Sequence, residues 1–245
     1  MNIINEKYGI NEIDFYSSEL EIVPAFKARS LGFDSSMVAA YGQDDKVCVY
    51  TALRAMMEIE NPEKTVSCML VDKEEVGSMG ATGMHSRVFE NIVAELVALN
   101  EGESELKVRR ALANSHMLSS DVSAAFDPNY PGVNERKNTA YFGKGLVFNK
   151  YTGARGKSGT SDASAELIAK LRALFDDNGV LWQMAALGKV DQGGGGTIAY
   201  ILASYGMNVI DSGVAVLNMH APWEITSKAD IYETKKGYAA FLRRA

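Results

Sequence analysis

The sequence predicts an α/β protein, a three-layer α/β/α sandwich around a mainly parallel mixed sheet. Three observations lead there. Short β-rich apolar runs alternate with longer segments whose apolar residues recur at helical spacing, the pattern of strands covered by helices on both faces. The chain has 245 residues, 47% of them hydrophobic, enough for a substantial core in essentially one domain. Acidic residues gather just beyond the ends of apolar runs, where open α/β sheets place their sites.

Taken in order, residues 19–23 (ELEIV) read as a short strand and 26–41 as an irregular connector. Residues 47–58 have helical spacing, with Asp44 and Asp45 just before them, where carboxylates suit a helix N-terminus. Residues 65–71 (TVSCMLV) form a β-rich run that ends at Glu74 and Glu75. A helix is expected over 88–99, a polar loop over 101–105, and an apolar stretch over 111–120 that leads into Asp121. A turn-rich loop (127–138) precedes a strand at 143–150, a helix at 164–176 and an extended run at 182–186. The glycine run 193–196 opens onto a helix at 197–205; strands at 209–211 and 214–219 deliver His220, and a helix over 230–244 closes the chain.

Composition excludes some functions. A formal net charge of −6 and only two short basic clusters, 107–110 and 243–244, speak against a nucleic-acid surface. The first 16 residues carry Glu6, Glu12 and Asp14 and lack the apolar core of a signal peptide, and no run approaches a membrane span. Cys48 and Cys68 lie among apolar residues and read as reduced thiols of a cytoplasmic protein.

Asp44, the Glu74-Glu75 pair, Asp121 and His220 all stand at element ends. Carboxylates gathered in a poorly solvated place repel one another unless cations lie between them, and a pair of zinc ions meets that need. Taken singly, Asp44 and Asp121 read as helix caps or turn residues and the Glu74-Glu75 pair as a solvated loop. His220 is the strongest candidate, one of three histidines and set between an apolar strand and Ala221-Pro222; His85 and His116 read as surface or packing residues. The loop Gly194, Gly195, Gly196 and Thr197 is either a tight turn with close backbone packing or a substrate-contacting loop. It lacks P-loop and dinucleotide spacing.

Five ordered motifs go further: YGQDD (41–45), VDKEEVGS (71–78), SSDVSAAFDPNY (119–130), GGGGTIA (193–199) and NMHAPWEITSKADIYETKKGY (218–238). Together they resemble the aspartyl-aminopeptidase-like family of zinc aminopeptidases over nearly the whole chain, which implies a zinc-peptidase-like fold. The resemblance implies that Asp44 bridges two zinc ions, Glu74 is the general base, Glu75 and His220 ligate one metal and Asp121 the other. It places the glycine loop on the substrate side, and it implies a homo-oligomer that removes N-terminal residues from peptides.

The chain also departs from the family. The family's early His-x-Asp motif, whose histidine completes the metal site of Asp121, is absent. Residues 1–40 resemble the end of an inserted oligomerisation domain and 41–245 a partial catalytic domain, so the fold is expected to be incomplete at the N-terminus and one metal site short of a ligand. The family's lysine for acidic substrates has no match in phase, since Asn149 precedes Lys150. Two alternatives stand beside the aminopeptidase: an impaired fragment that binds one metal or partner subunits, and an acidic calcium-binding or structural protein, which leaves His220 unexplained and lacks an EF-hand loop.

Overall fold

The computed structural model describes residues 2–155 and 158–244. Its elements are α1 (Asn2–Tyr8), α2 (Glu12–Tyr16), β1 (Arg29–Leu31), β2 (Met37–Ala40), α3 (Gln43–Met56), α4 (Val88–Glu101), α5 (Glu105–Ala113), β3 (His116–Ser120), β4 (Ser123–Ala124) and β5 (Leu146–Asn149). There follow α6 (Ala165–Asp177), β6 (Trp182–Ala185), α7 (Ala199–Ala203), β7 (Asn208–Gly213), β8 (Ala215–Leu217), β9 (Glu224–Ser227) and α8 (Lys228–Arg244).

The strands form a four-stranded sheet ordered β3-β7-β5-β6 and a five-stranded sheet ordered β1-β2-β9-β8-β4. Both are mixed. In the first, β3–β7 and β5–β6 run parallel while β5–β7 is antiparallel; in the second only β4–β8 is parallel. One ladder joins them, because Asp121, Ser123 and Ala125 donate to the carbonyls of Ser212, Val214 and Val216 as β3 runs into β4 beside β7 and β8. Gly213 lets those strands touch: a Cβ there would stand 1.9 Å from the Asp121 carbonyl oxygen.

Side-chain alternation builds the three layers. On one face Leu118 and Ile210 join Leu146, Phe148, Leu171 and Phe175 under α3, α6 and α8. On the other, Met117 and Val209 meet Leu112, Ile201 and Leu202 under α4, α5 and α7. Tyr238 on α8 pins the first layer, its hydroxyl 2.7 Å from Ser120 Oγ and donating to the Ser212 carbonyl at 2.9 Å.

Several expectations differ from the structure. Residues 19–23 form no strand and Ile22 is fully exposed, since among the described residues nothing pairs with them. The connector 26–41 contains the β1–β2 hairpin, whose pairing with β9 is tertiary and leaves no hydrophobic alternation to read. Helix α5 covers much of what reads as a basic cluster, started by Ser104, whose hydroxyl accepts from Lys107 N–H. Residues 65–71 run without secondary structure, and among the described residues no backbone hydrogen bond joins them to another segment. No helix is long and apolar enough to cross a membrane, among the described residues.

Candidate metal centre

Four pieces of backbone converge at the ends of the strands. Asp44 and Asp45 sit at the start of α3 with φ/ψ of −79°/105° and −113°/22°, outside helical values, so their side chains leave the helix axis instead of capping it. Glu74 and Glu75 lie on a single 3-10 turn between Lys73 (φ 66°) and Gly77 (φ 93°), tight enough to aim adjacent carboxylates differently. Asp121 occupies the gap between β3 and β4. His220 follows β8 in a left-handed conformation, φ 65°.

The His220 Nε2 lies 2.9 Å from Asp44 Oδ2 and 3.1 Å from Glu75 Oε1. Among the described residues two groups have ligand atoms all within 4.8 Å of one another: Asp44, Glu75 and His220, and Asp44, Asp45 and Asp121. Asp44 belongs to both. The structure therefore gathers Asp44, Glu75, Asp121 and His220, as the motifs imply, and adds Asp45.

Buried Glu224 sets the frame. Its Oε1 accepts the His220 N–H at 2.8 Å and its Oε2 the Asp44 N–H at 3.0 Å. Gln43, also buried, donates to the Glu224 carbonyl at 2.6 Å and the Val38 carbonyl at 3.1 Å, fixing the turn before Asp44. Such outer contacts orient metal ligands and are easily overlooked in a sequence.

Electrostatics point to cations. Burial, reinforced by Glu75, raises the Asp44 carboxyl to about 6 although His220 opposes the rise. Asp45 is pushed to about 8, chiefly by burial, with a hydrogen bond from Cys48 opposing and Asp44 and Glu74 adding to it. Asp121 is raised well above the carboxylate range by burial and then by Asp45, Asp44 and Glu74. Glu74, half-buried, is raised by burial and by Glu75. The group holds more negative charge than its surroundings solvate, and Asp45 Oδ1 is buried without a hydrogen-bond partner. One imidazole with two carboxylates suits zinc with an open position; the three-carboxylate group is a harder oxygen set that takes zinc when Asp44 is shared. The donors fit.

The glycine loop is a packed turn. The Gly193 carbonyl accepts from Arg155 N–H and the Gly195 carbonyl from Gly153 N–H, at 2.8 and 2.7 Å. At Gly194 (φ +93°) a Cβ would stand 2.7 Å from the Gly153 carbonyl oxygen, whereas at Gly196 it would meet nothing within 4 Å. Buried Thr197 lies near Asp211, whose carboxyl burial raises to about 6 against the nearby hydroxyls of Thr197, Ser119 and Thr152. Lys150 pairs with Asp162 at 2.7 Å, while Asn149 is buried beside Ser123.

Sequence reading takes Asp45 only for a helix-start residue and passes over Asp211 and Glu224. Each left a faint signal: a second acid in YGQDD, an acid inside the apolar run VIDSGV, and an acid just after Pro222-Trp223.

The family model described as aminopeptidase I zinc metalloprotease (M18) matches residues 1–242. The probable M18 family aminopeptidase 1 of Clostridium acetobutylicum is 68% identical over 99% of this chain and 52% of that protein; its counterpart in Thermotoga maritima is 47% identical over 100% and 54%. The crystal structure of the Clostridium aminopeptidase I superposes with a TM-score of 0.91, covering 99% of this chain and 52% of that one at 68% identity. The Thermotoga M18 structure superposes with a TM-score of 0.95 at 46% identity, covering 100% and 54%. The chain spans about half the length of the relatives it matches. The resemblance drawn from the five motifs is borne out, and the chain belongs to the M18 family of aminopeptidase I zinc metalloproteases.

Proposed function

We propose that the protein is a metal-dependent aminopeptidase that removes N-terminal residues from peptides by a two-zinc, water-activated mechanism, with this chain providing most of its metal centre. The observation that carries this reading is that Asp44 is common to two ligand groups, with Glu74 close enough to raise the pKa of Asp44, Asp45 and Asp121.

Asp44, Glu75 and His220 would hold one ion; Asp44 and Asp121, with Asp45 beside them, the other. Zinc held there would supply Lewis-acid chemistry, polarising the scissile carbonyl and acidifying water. Glu74, with its raised pKa, takes a proton from the attacking water and returns it to the leaving amine as the C–N bond breaks. Glu224 holds Asp44 and His220 in register through their backbone N–H groups. Gly194, Gly195, Gly196 and Thr197 belong to the substrate side of this reading, with open space where a Cβ would stand at Gly196.

In the same reading residues 1–40 are the end of an oligomerisation domain and 41–245 the partial catalytic domain. A homo-oligomer is supported by α1 and α2, which bury no residue and expose Ile3, Tyr8, Ile13 and Tyr16. A cytoplasmic location is supported by the free thiols Cys48 and Cys68.

The test is elemental analysis of the full-length protein containing this chain, together with hydrolysis of a panel of aminoacyl-nitroanilides. Two zinc ions per chain and turnover lost on chelation support the reading. A protein that turns over without bound metal overturns it.

A further inference from the structure

A second buried polar group lies on the face of the four-stranded sheet that α7 covers, where Val209 and Met117 pack against Ile201 and Leu202. Two residues further along each strand, on the same face, stand Asp211 of β7 and Ser119 of β3, directly opposite each other. Asn149 of β5 stands opposite Asp211 from the other side. Thr152, just after β5, and Thr197, just before α7, close the group from the loops. All five side chains are 5% exposed or less.

Asp211 is the unmatched member. Among the described residues neither of its carboxylate oxygens makes a hydrogen bond, and neither does Ser119 Oγ. The hydroxyls of Ser119, Thr152 and Thr197 are near enough to hold its carboxyl down against burial. Two of them already accept backbone donors: Thr152 Oγ1 takes the Ser161 N–H at 3.1 Å and Thr197 Oγ1 the Ala199 N–H at 3.3 Å. Oxygen atoms thus gather around a carboxylate with which none of them makes a hydrogen bond.

Burial raises that carboxyl only to about 6, so it is mostly ionised at neutral pH. Acidic neighbours add to the difficulty, since Glu74 reinforces the rise and Asp211 in turn raises Asp121. A buried charge needs a counter-charge, and a bridging water supplies hydrogen bonds alone. Charge and donor type select the ion. One carboxylate among neutral oxygens balances a single positive charge, whereas calcium sites gather several carboxylates and zinc prefers nitrogen and sulfur. Asp211 belongs to neither ligand group of the metal centre.

We propose that Asp211, Ser119, Thr152 and Thr197 form a buried site for one monovalent alkali cation, sodium or potassium, separate from the metal centre. The ion joins three pieces of chain. Ser119 lies two residues before Asp121, Thr197 ends the glycine loop, and Thr152 leaves β5. Its binding therefore ties the glycine loop to a strand end that carries a metal-centre acid. The site rests on the buried oxygen group, and it holds whether or not the peptidase reading does.

The test is a thermal melt of the zinc-saturated, full-length protein containing this chain, at pH 7.5 and constant ionic strength, in choline, sodium, potassium or calcium chloride. Choline is too large to enter. In at least one alkali salt the parent melts about 2–4 °C higher than in choline, and the rise saturates with concentration. The ion that saturates at the lower concentration is the preferred one. Asp211→Asn removes the charge and gains nothing from either alkali ion. Thr152→Val removes one oxygen and needs about tenfold more salt for the same rise. Each variant is read against its own melt in choline, so a change in stability alone does not imitate the effect. A rubidium soak of crystals places an anomalous peak beside Asp211. Equal melting points in choline and both alkali salts overturn the proposal, as does an alkali shift that survives Asp211→Asn. A shift from calcium with none from the alkali ions, or water density beside Asp211 with no rubidium peak, overturns it as well.

Discussion

The backbone N–H of Asp44 donates to Glu224 Oε2 at 3.0 Å while the other oxygen of that carboxylate takes the N–H of His220 at 2.8 Å. One buried side chain thereby sets the separation of two metal-ligand candidates that lie far apart in sequence. Glu224→Gln replaces one acceptor oxygen with an NH2 donor and breaks one of the two bonds. Zinc affinity is expected to fall about 10–100-fold, with a stability cost of about 1–3 kcal/mol. Titration against a competing chelator, alongside a thermal melt, checks both. Unchanged affinity would remove Glu224 from its positioning role.

Glu74 takes part in neither ligand group, so its loss should separate chemistry from metal binding. Glu74→Gln in the full-length protein should keep its zinc and lose turnover by about 10²–10⁴-fold. Nitroanilide kinetics with elemental analysis of the same sample read this directly. Full activity in the variant would give the proton transfer to another group.

Asp211 predicts a pH dependence that needs no metal. Burial raises its carboxyl from 3.8 to about 6, so the folded state keeps the proton longer than the unfolded chain does. The stability it contributes is present below about pH 4, is lost as pH rises towards about 6, and stays lost above. The rise corresponds to about 3 kcal/mol at most. With chelator present, Asp211→Asn should match the parent protein near pH 4 and exceed it at pH 7.5. Parallel melting curves for the two proteins across that range would contradict this.

The glycine loop separates packing from substrate contact. At Gly194, φ +93° and the nearby Gly153 and Leu187 carbonyl oxygens oppose a methyl group, and Gly194→Ala should destabilise by about 1–3 kcal/mol or more. Gly196→Ala meets no atom within 4 Å and should melt with the parent. A raised KM in that variant at unchanged stability would put the loop against substrate.

The sequence by itself determined the α/β class, most helices and the strands that deliver His220, because hydrophobic period and turn residues are local properties. Ordered motifs determined the family, since five spaced segments carry far more information than any one acid. Tertiary structure alone decided the rest. The β1–β2 hairpin exists through pairing with β9, and residues 19–23, apolar enough to resemble a strand, find no edge to join. Residues 65–71 read as a strand from their β-rich composition, yet they run without secondary structure, because among the described residues no backbone hydrogen bond joins them to another segment. Asp45, Asp211 and Glu224 look like ordinary acids in sequence. Folding gives each its role by burying it against other charges and backbone N–H groups, and burial is a property of the whole chain's packing.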